Sequence, residues 1–340
     1  MPQSTSNPPT HRVLVVGVGS IGERHLRCFK TTGRTEVGFV ELNPDLRATI
    51  AKRYDLPESN FASLDDALAK GFTVGVVCTP ANSHIAITTR LVEAGLHVLI
   101  EKPLSTSFDG IDKLRTLALA KQRTVGMAYV YRSMPLIIKI REAIQSGKFG
   151  KVVQATIVCG QDFRFYRPAY RNIYYNSHAT GGGAIQDALT HLVNATEWIV
   201  GPITRLTCDA EHKVLEDVNV EDTVHMIARH GEVMASYSLN QHQAANEISL
   251  NFACEKGVLR ADVHESRWRW TTKPDEPWHD EPITRQERDF IFIQQAQHFL
   301  DAVEGKAAVL CTLDQGEQTL RVNLACLESA RTQQWVTIRK

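Results

Sequence analysis

Three side chains suited to acid and base chemistry stand in two short motifs of the sequence. Lys102 lies in the run Glu101-Lys102-Pro103 behind an apolar stretch, and Asp187 and His191 follow three glycines at 181–183. An imidazole with an ordinary pKa of about 6.5 can accept a proton near neutral pH. An ammonium can stabilise a developing oxyanion, and a carboxylate can orient the imidazole or a hydroxyl. Beside a nicotinamide cofactor, these groups are sufficient to remove a hydride from a secondary alcohol.

The spacing of Asp187 and His191 predicts that both lie on one face of a helix that opens after the glycines. An apolar stripe runs along the same segment, which leaves Asp187, His191 and Asn194 on another side. Taken alone, such a polar stripe is more often a solvated helix face than a site, and Glu101-Lys102 can also be read as a surface charge pair. The apolar stripe consists of Ile185, Leu189, Leu192 and Ile199.

A glycine motif typical of dinucleotide-binding sites lies near the start of the sequence. The apolar run Val13–Val16 leads into Gly17-x-Gly19-x-x-Gly22, whose glycines allow a tight turn and close approach to a pyrophosphate at a helix N-terminus. Glu41 follows 19 residues after Gly22, where it can accept both ribose hydroxyls and repel a 2′-phosphate, so NAD is expected rather than NADP. Alternatively, the glycines only form a turn between a strand and a helix, and Glu41 is a solvated strand end. Residues expected to bind the cofactor are Gly17, Gly19, Ser20, Ile21, Gly22, Glu41, Thr79, Pro80, Asn82, His84, Glu101 and Lys102.

The elements that must position these groups follow from the pattern of apolar runs. In residues 11–130, short runs rich in valine and isoleucine alternate with helical stretches, which predicts an N-terminal doubly wound α/β domain of the Rossmann type with a buried parallel sheet. The predicted strands are Val13–Val16, Val37–Val40, Val74–Cys78, His97–Ile100 and Thr124–Met127. The predicted helices are Gly22–Thr31, Pro44–Tyr54, Ser83–Gly95 and Phe108–Arg123.

Residues 131–340 read as a second domain of the α+β class with a mostly antiparallel sheet. The predicted helices cover only one face of that sheet. Because the strands carry Thr, Tyr, Trp and Met, we expect a partner subunit to cover the other face, in a homodimer or homotetramer. The predicted strands are Val218–Arg229, Glu232–Asn240, Glu247–Cys254 and Val258–Val263. The predicted helices are Pro135–Ser146, one after Gly181, Arg285–Glu304 and Asp314–Thr332.

The segment 161–175 is rich in arginine and tyrosine and lies just before the glycine run. Tyrosines can form platforms for a polyhydroxylated substrate, and arginines can bind a carboxylate or phosphate. A subunit contact or a solvated loop explains the composition equally well. Residues expected to bind substrate are Lys102, Arg164, Tyr166, Arg167, Tyr170, Asp187 and His191.

Composition bears on the partners and the cellular compartment of the protein. The chain has 38 basic and 38 acidic residues without a basic block, which argues against a nucleic-acid partner. Seven scattered cysteines indicate free thiols in a reducing compartment, and the histidines lack the spacing of metal ligands. No apolar run approaches bilayer length, and residues 1–10 read as a disordered tail without signal-peptide character. A cytoplasmic protein without metal or membrane partner is expected.

The three motifs, taken in order along the chain, resemble the Gfo/Idh/MocA family of glucose-fructose oxidoreductase and inositol dehydrogenase. The resemblance implies a Rossmann domain followed by a domain built on a large open sheet that often mediates oligomerisation. It also implies NAD, a sugar or cyclitol substrate, and a catalytic set of Lys102, Asp187 and His191. Two alternatives stay open: elimination or epimerisation with recycled NAD, and a regulator that binds a dinucleotide without turnover.

Overall fold

A computed structural model describes residues 10–339; all of the predicted tail except Thr10 lies outside the described residues. The strands are β1 (His11–Val16), β2 (Thr35–Val40), β3 (Asn60–Phe61), β4 (Val74–Val77), β5 (His97–Ile100), β6 (Val125–Met127), β7 (Val152–Gly160), β8 (Arg205–Glu211), β9 (Thr223–His230), β10 (Val233–Asn240), β11 (Glu247–Cys254), β12 (Gly257–Asp262), β13 (Arg267–Thr271), β14 (His279–Pro282) and β15 (Val336–Thr337).

The α-helices are α1 (Ser20–Thr31), α2 (Pro44–Tyr54), α3 (Leu64–Leu68), α4 (His84–Glu93), α5 (Ile111–Ala120), α6 (Pro135–Gln145), α7 (Phe163–Tyr166), α8 (Thr190–Val200), α9 (Phe290–Val303) and α10 (Leu313–Thr332). A π-helical turn, Ile185–Leu189, runs directly into α8. Within residues 10–339, none of the helices has both the length and the hydropathy needed to cross a bilayer.

The first unit is built on a parallel sheet of six strands in the order β3-β2-β1-β4-β5-β6. Its central strands are buried on both faces, as the valine-rich runs predicted, because crossover helices cover them. The fold class is confirmed here: this is a doubly wound Rossmann sheet. The edge strand β3 and helix α3 were missed because two and five residues are too short to show a period.

The division of the chain differs from the predicted one. The first unit comprises the described residues up to Val130 together with Glu287–Leu313, and the second comprises Tyr131–Gln286 and the residues from Asp314 onward. The segment that carries α9, which was predicted within 131–340, groups with the first unit. The apolar face of α9 packs into the first unit's core beside α1, and Arg27 forms an ion pair with Asp289. Periodicity predicts an amphipathic helix but not which sheet it covers.

The second unit is built on a nine-stranded sheet in the order β14-β13-β12-β11-β7-β10-β9-β8-β15. Strands β7 and β10 pair in parallel, and the other pairs are antiparallel, which confirms a mostly antiparallel sheet. Strands β7, β8, β13, β14 and β15 were not predicted. The strand predicted from Val218 begins at Thr223, because Val218 and Val220 are buried in a separate loop cluster instead.

Register decides which side chains each face of this sheet carries. On β10, Ala235, Tyr237 and Leu239 are buried in the helix-covered core, while Met234 on the opposite face is 49% exposed. Trp270 pairs with Leu259 and lies on the core side. The expectation that tyrosine and tryptophan lie on the uncovered face is therefore wrong, since a period of two places them inward.

Candidate functional site

The three glycines of the loop between β1 and α1 have different surroundings. Gly17 has a φ of +84°, which favours glycine. A Cβ on Gly22 would overlap the carbonyl oxygen of Gly17, so only glycine lets α1 pack this closely on the loop. Among the described residues, no atom lies within 4 Å of the position that a Cβ on Gly19 would occupy. The loop is therefore closed at Gly22 and open at Gly19.

The open side of the loop fits a dinucleotide phosphate. Gly19 is the N-cap of α1 and has no side chain with which to cap this helix end. Its backbone N–H groups, together with the helix dipole, form an anion-binding end. Ser20 is exposed and Ile21 half-buried at the start of the same helix. These predicted cofactor residues therefore surround the space into which a pyrophosphate would fit.

Glu41 is held beside this loop. Its carboxylate accepts hydrogen bonds from the backbone N–H of Val18 at 3.1 Å and of Asn43 at 2.9 Å. The Arg47 guanidinium donates to the main-chain oxygen of Glu41 at 2.7 Å. The carboxylate thus has a fixed place at the carboxyl end of β2, where a ribose would lie.

The residues after β4 divide into exposed and buried ones. Pro80 and Asn82 are exposed, and the Thr79 hydroxyl lies 2.7 Å from that of Ser83. His84, in contrast, is 1% exposed, with its ring nitrogens 2.8 Å from the carbonyl oxygen of Thr79 and 3.0 Å from that of Pro103. Burial lowers the pKa of His84, so the ring is neutral near pH 7 and, with a single N–H, donates to one of these two carbonyl oxygens at a time. The structure gives His84 backbone partners, which differs from the predicted cofactor contact.

Lys102 follows β5 at the same sheet edge, and its peptide bond to Pro103 is cis. Glu101 is buried: one carboxylate oxygen lies 2.7 Å from Nε2 of His25, and the other accepts from the Lys102 backbone N–H at 2.9 Å. Glu101 was predicted to bind cofactor, but these contacts are internal. His25 was missed, because a histidine on α1 and a glutamate 76 residues later show no common pattern.

Asp187 and His191 lie where a π-helical turn passes into α8. A π turn holds more residues than the 3.6 of an α-helix, so side chains four apart are stacked more directly than on a regular helix. Asp187 is 3% exposed, and the neighbouring Asn194 is buried and bonds Arg132 and Thr319. The solvated-face alternative is therefore wrong for Asp187 and Asn194.

The ring of His191 is stacked on Tyr131, with centroids 4.9 Å apart and planes inclined by 21°. Burial raises the pKa of Tyr131, which therefore remains a neutral phenol at physiological pH. This flat contact restricts the rotation of the imidazole. Sequence inspection missed Tyr131, because 60 residues separate the two rings.

Tyr174 is a second neighbour of the predicted catalytic set that the sequence did not single out. Its hydroxyl donates to a carboxylate oxygen of Asp187 at 2.6 Å. The surrounding loop is fixed to the start of the π turn, since Glu221 bonds both His178 and, at 2.9 Å, the backbone N–H of Ile185. The bond to Glu221 raises the pKa of His178. In the sequence, Tyr174 could have been found only through its place in the tyrosine-rich segment 161–175.

Two of the three arginines of the 161–175 segment pair with nearby carboxylates. Arg164 forms a two-pronged ion pair with Asp162, and Arg171 bonds Glu216 at 2.8 Å. Arg167 is exposed and stacks on the ring of Phe163. These contacts reduce the positive charge that the segment could offer to an anionic substrate.

The aromatic residues of this segment differ from each other. Tyr166 is 45% exposed and contacts Phe165 edge to face. Tyr170 is fully buried in a small cluster with Tyr175, so it does not form the predicted platform in this structure. Alternation of charged and aromatic residues could not distinguish a buried ring from an exposed one.

Within the described residues, no group of three or more potential metal ligands is gathered.

Comparison with known proteins agrees with this architecture. Residues 11–129 match the oxidoreductase family with NAD-binding Rossmann fold, and residues 137–260 match the GFO/IDH/MocA C-terminal domain. The first unit is thus an NAD-binding Rossmann domain. The chain belongs to the GFO/IDH/MocA family.

Several relatives carry dehydrogenase names. The chain is 25% identical over 195 residues to an inositol 2-dehydrogenase/D-chiro-inositol 3-dehydrogenase of Shouchella clausii, covering 56% of this chain and 53% of that one. It is 29% identical over 199 residues to an inositol 2-dehydrogenase of Leifsonia xyli subsp. xyli, covering 57% and 54%. The chain thus spans about half the length of these curated relatives.

Among solved structures, a levoglucosan dehydrogenase in complex with NADH and levoglucosan superposes with a TM-score of 0.87. The superposition covers 97% of this chain and all of the other, at 19% sequence identity. At this identity the likeness shows the shared fold.

Proposed function

We propose that the protein is an NAD-dependent oxidoreductase that transfers a hydride between a ring secondary hydroxyl of a sugar, sugar derivative or cyclitol and the nicotinamide. The observation that carries this is that Asp187 and His191 stand four residues apart on one helical segment, each held by an aromatic partner, in a chain with an NAD-binding fold. A protein that only binds ligands has no need of an ordered acid and base. The names of the relatives support the substrate class.

The chain's own residues divide the chemistry between them. His191 accepts the hydroxyl proton, since a neutral imidazole is an effective base near pH 7. Asp187 holds that imidazole or a neighbouring substrate hydroxyl. Lys102 donates a hydrogen bond to the reacting oxygen and stabilises its negative charge as the proton leaves. When bound, NAD supplies the acceptor for the hydride; Gly19, Ser20 and Glu41 would hold it.

An uncharged polyol fits the described residues better than a sugar acid. Arg164 and Arg171 are already paired with carboxylates, and Asp187 adds a buried acidic group. An anionic substrate would have to compete with these carboxylates for the arginines.

The test is reduced-nicotinamide absorbance with purified protein, offering NAD and NADP separately against cyclitols, free sugars, glycosides, sugar acids and nucleotide sugars. We expect reduction of NAD with a neutral member of the panel and little with NADP, because Glu41 would repel a 2′-phosphate. Product formation without net reduction would establish redox-neutral elimination or epimerisation instead. NAD binding without any product would favour a sensing regulator and overturn the proposal.

Tyr174→Phe should lower kcat/KM about tenfold or more, because Asp187 loses the hydrogen bond that holds its carboxylate in place. A hydrogen bond to a charged carboxylate contributes about 1.5–3 kcal/mol, which corresponds to a loss of about 10–150-fold when it is removed. The measurement is kcat/KM of both proteins at one pH. In an Asp187→Asn background the same substitution should have no further effect; an equal loss there would contradict the assignment.

We further propose that the protein is cytoplasmic and forms a homodimer or homotetramer through its second unit. All seven cysteines are free thiols, which suits a reducing compartment. Ile227 and Met234 are about half exposed on the uncovered sheet face. Light scattering of the purified chain measures the oligomeric state.

A further inference from the structure

Buried hydrogen bonds hold the protein backbone on both sides of Lys102. His25 contacts the carboxylate of Glu101, which in turn accepts from the Lys102 backbone N–H, and His84 contacts the carbonyl oxygen of Pro103. We propose that His25 and His84 are positioning residues that hold this segment so that the Lys102 ammonium meets the reacting oxygen. The inference rests on the proposed function for the role of Lys102.

The contact on the N-terminal side is short and shielded from solvent. Nε2 of His25 and Oε1 of Glu101 are 2.7 Å apart, and their side chains are 1% and 6% exposed. Removing one partner of such a buried pair leaves the other without its hydrogen bond, which is costly in the protein interior. His25 lies three residues after Gly22 on α1. The pair thus ties Lys102 to the helix that faces the dinucleotide.

The contact of His84 on the C-terminal side of Lys102 is also buried. Nδ1 of His84 lies 3.0 Å from the Pro103 oxygen, and Nε2 lies 2.8 Å from the Thr79 oxygen. The ring is 1% exposed at the start of α4. It bridges two segments that leave neighbouring strands, β4 and β5, at the same sheet edge.

Fixing the backbone matters for a lysine in particular. Its ammonium sits on a flexible four-carbon stem, so the place it can reach depends on where the main chain holds the base of that stem. A displacement of about 1 Å of a catalytic group can cost on the order of 10²-fold in rate. Neither histidine needs to contact substrate to have this effect.

The two ring contacts use different nitrogens, which permits matched variants of equal polarity. Glutamine places an amide near the position of Nε2 and asparagine near that of Nδ1. His25→Gln and His84→Asn should therefore keep the contact, whereas His25→Asn and His84→Gln should lose it. His230→Asn is the control, because His230 is buried and bonded through both nitrogens in the second unit.

We expect His25→Asn and His84→Gln to lower kcat at least tenfold, with the NAD dissociation constant changed less than threefold. The matched variants, His25→Gln and His84→Asn, should keep most of the wild-type kcat. In a Lys102→Ala background none of the four should cause a further loss. A full additional loss in that background would show that the histidines do not act through Lys102 and would overturn the proposal.

A second readout needs no turnover. The rate of acetylation of individual lysines by trace acetic anhydride, followed by peptide mass spectrometry, reports how exposed and ordered each ammonium is. In the mismatched variants the rate at Lys102 should change at least threefold toward that of the exposed Lys139, and in His230→Asn it should not. An unchanged Lys102 rate overturns the positioning role. If the wild-type protein is inactive on every substrate, the proposed function is overturned. The acetylation rates still show whether His25 and His84 hold Lys102 in place.

Discussion

His191→Ala should lower kcat by about 10²–10⁴-fold, the range that a positioned acid or base contributes to proton transfer. The dissociation constant for NAD should remain within about twofold, because His191 belongs to the second unit and the glycine-rich loop to the first. Lys102→Ala should show a similar loss of turnover, since the oxyanion would lose its charged donor. Steady-state kinetics and NADH fluorescence titration measure the two quantities separately.

The matched control is His279→Ala. His279 is exposed on β14, at the end of the second unit's sheet, so its removal tests whether loss of any histidine lowers turnover. We expect near-wild-type kinetics for this variant. Near-normal turnover in both His191→Ala and Lys102→Ala would mean that the catalytic set has been assigned to the wrong residues.

Gly22→Ala and Gly19→Ala should separate folding from cofactor binding. At Gly22 the new methyl would overlap the backbone oxygen of Gly17, so the loop must move; we expect destabilisation of about 1–3 kcal/mol together with at least tenfold weaker NAD binding. At Gly19 the φ is −60°, which alanine adopts readily, and the space around it is open. This variant should keep the wild-type melting temperature and still bind NAD at least tenfold more weakly.

Thermal unfolding by circular dichroism and NADH titration on the same samples make the comparison. The variant at Gly19 is the informative one, because its methyl would meet none of the described residues beyond its chain neighbours. Wild-type NAD affinity in Gly19→Ala would show that the open side of the loop is not where the pyrophosphate binds.

Features that arise within a few neighbouring residues could be read from the sequence. The valine-rich strands, the glycine turn, Glu41 at the end of β2 and Lys102 at the end of β5 all depend on local periods and on strand ends meeting at one sheet edge. The bounds of α6 and α10 were likewise close to those expected, since each has a clear apolar period.

Features that depend on distant pairs were decided only in the tertiary structure. The contacts of His25 with Glu101, Tyr131 with His191, and Tyr174 with Asp187 join residues whose local patterns are unrelated. The burial of Tyr170 and the packing of α9 in the first unit belong to the same group. The sequence by itself determined which chemical groups are present and on which strand or helix ends most of them stand. Their partners and burial came from long-range packing, because a hydrogen bond or a buried face depends on what the folded chain places opposite it.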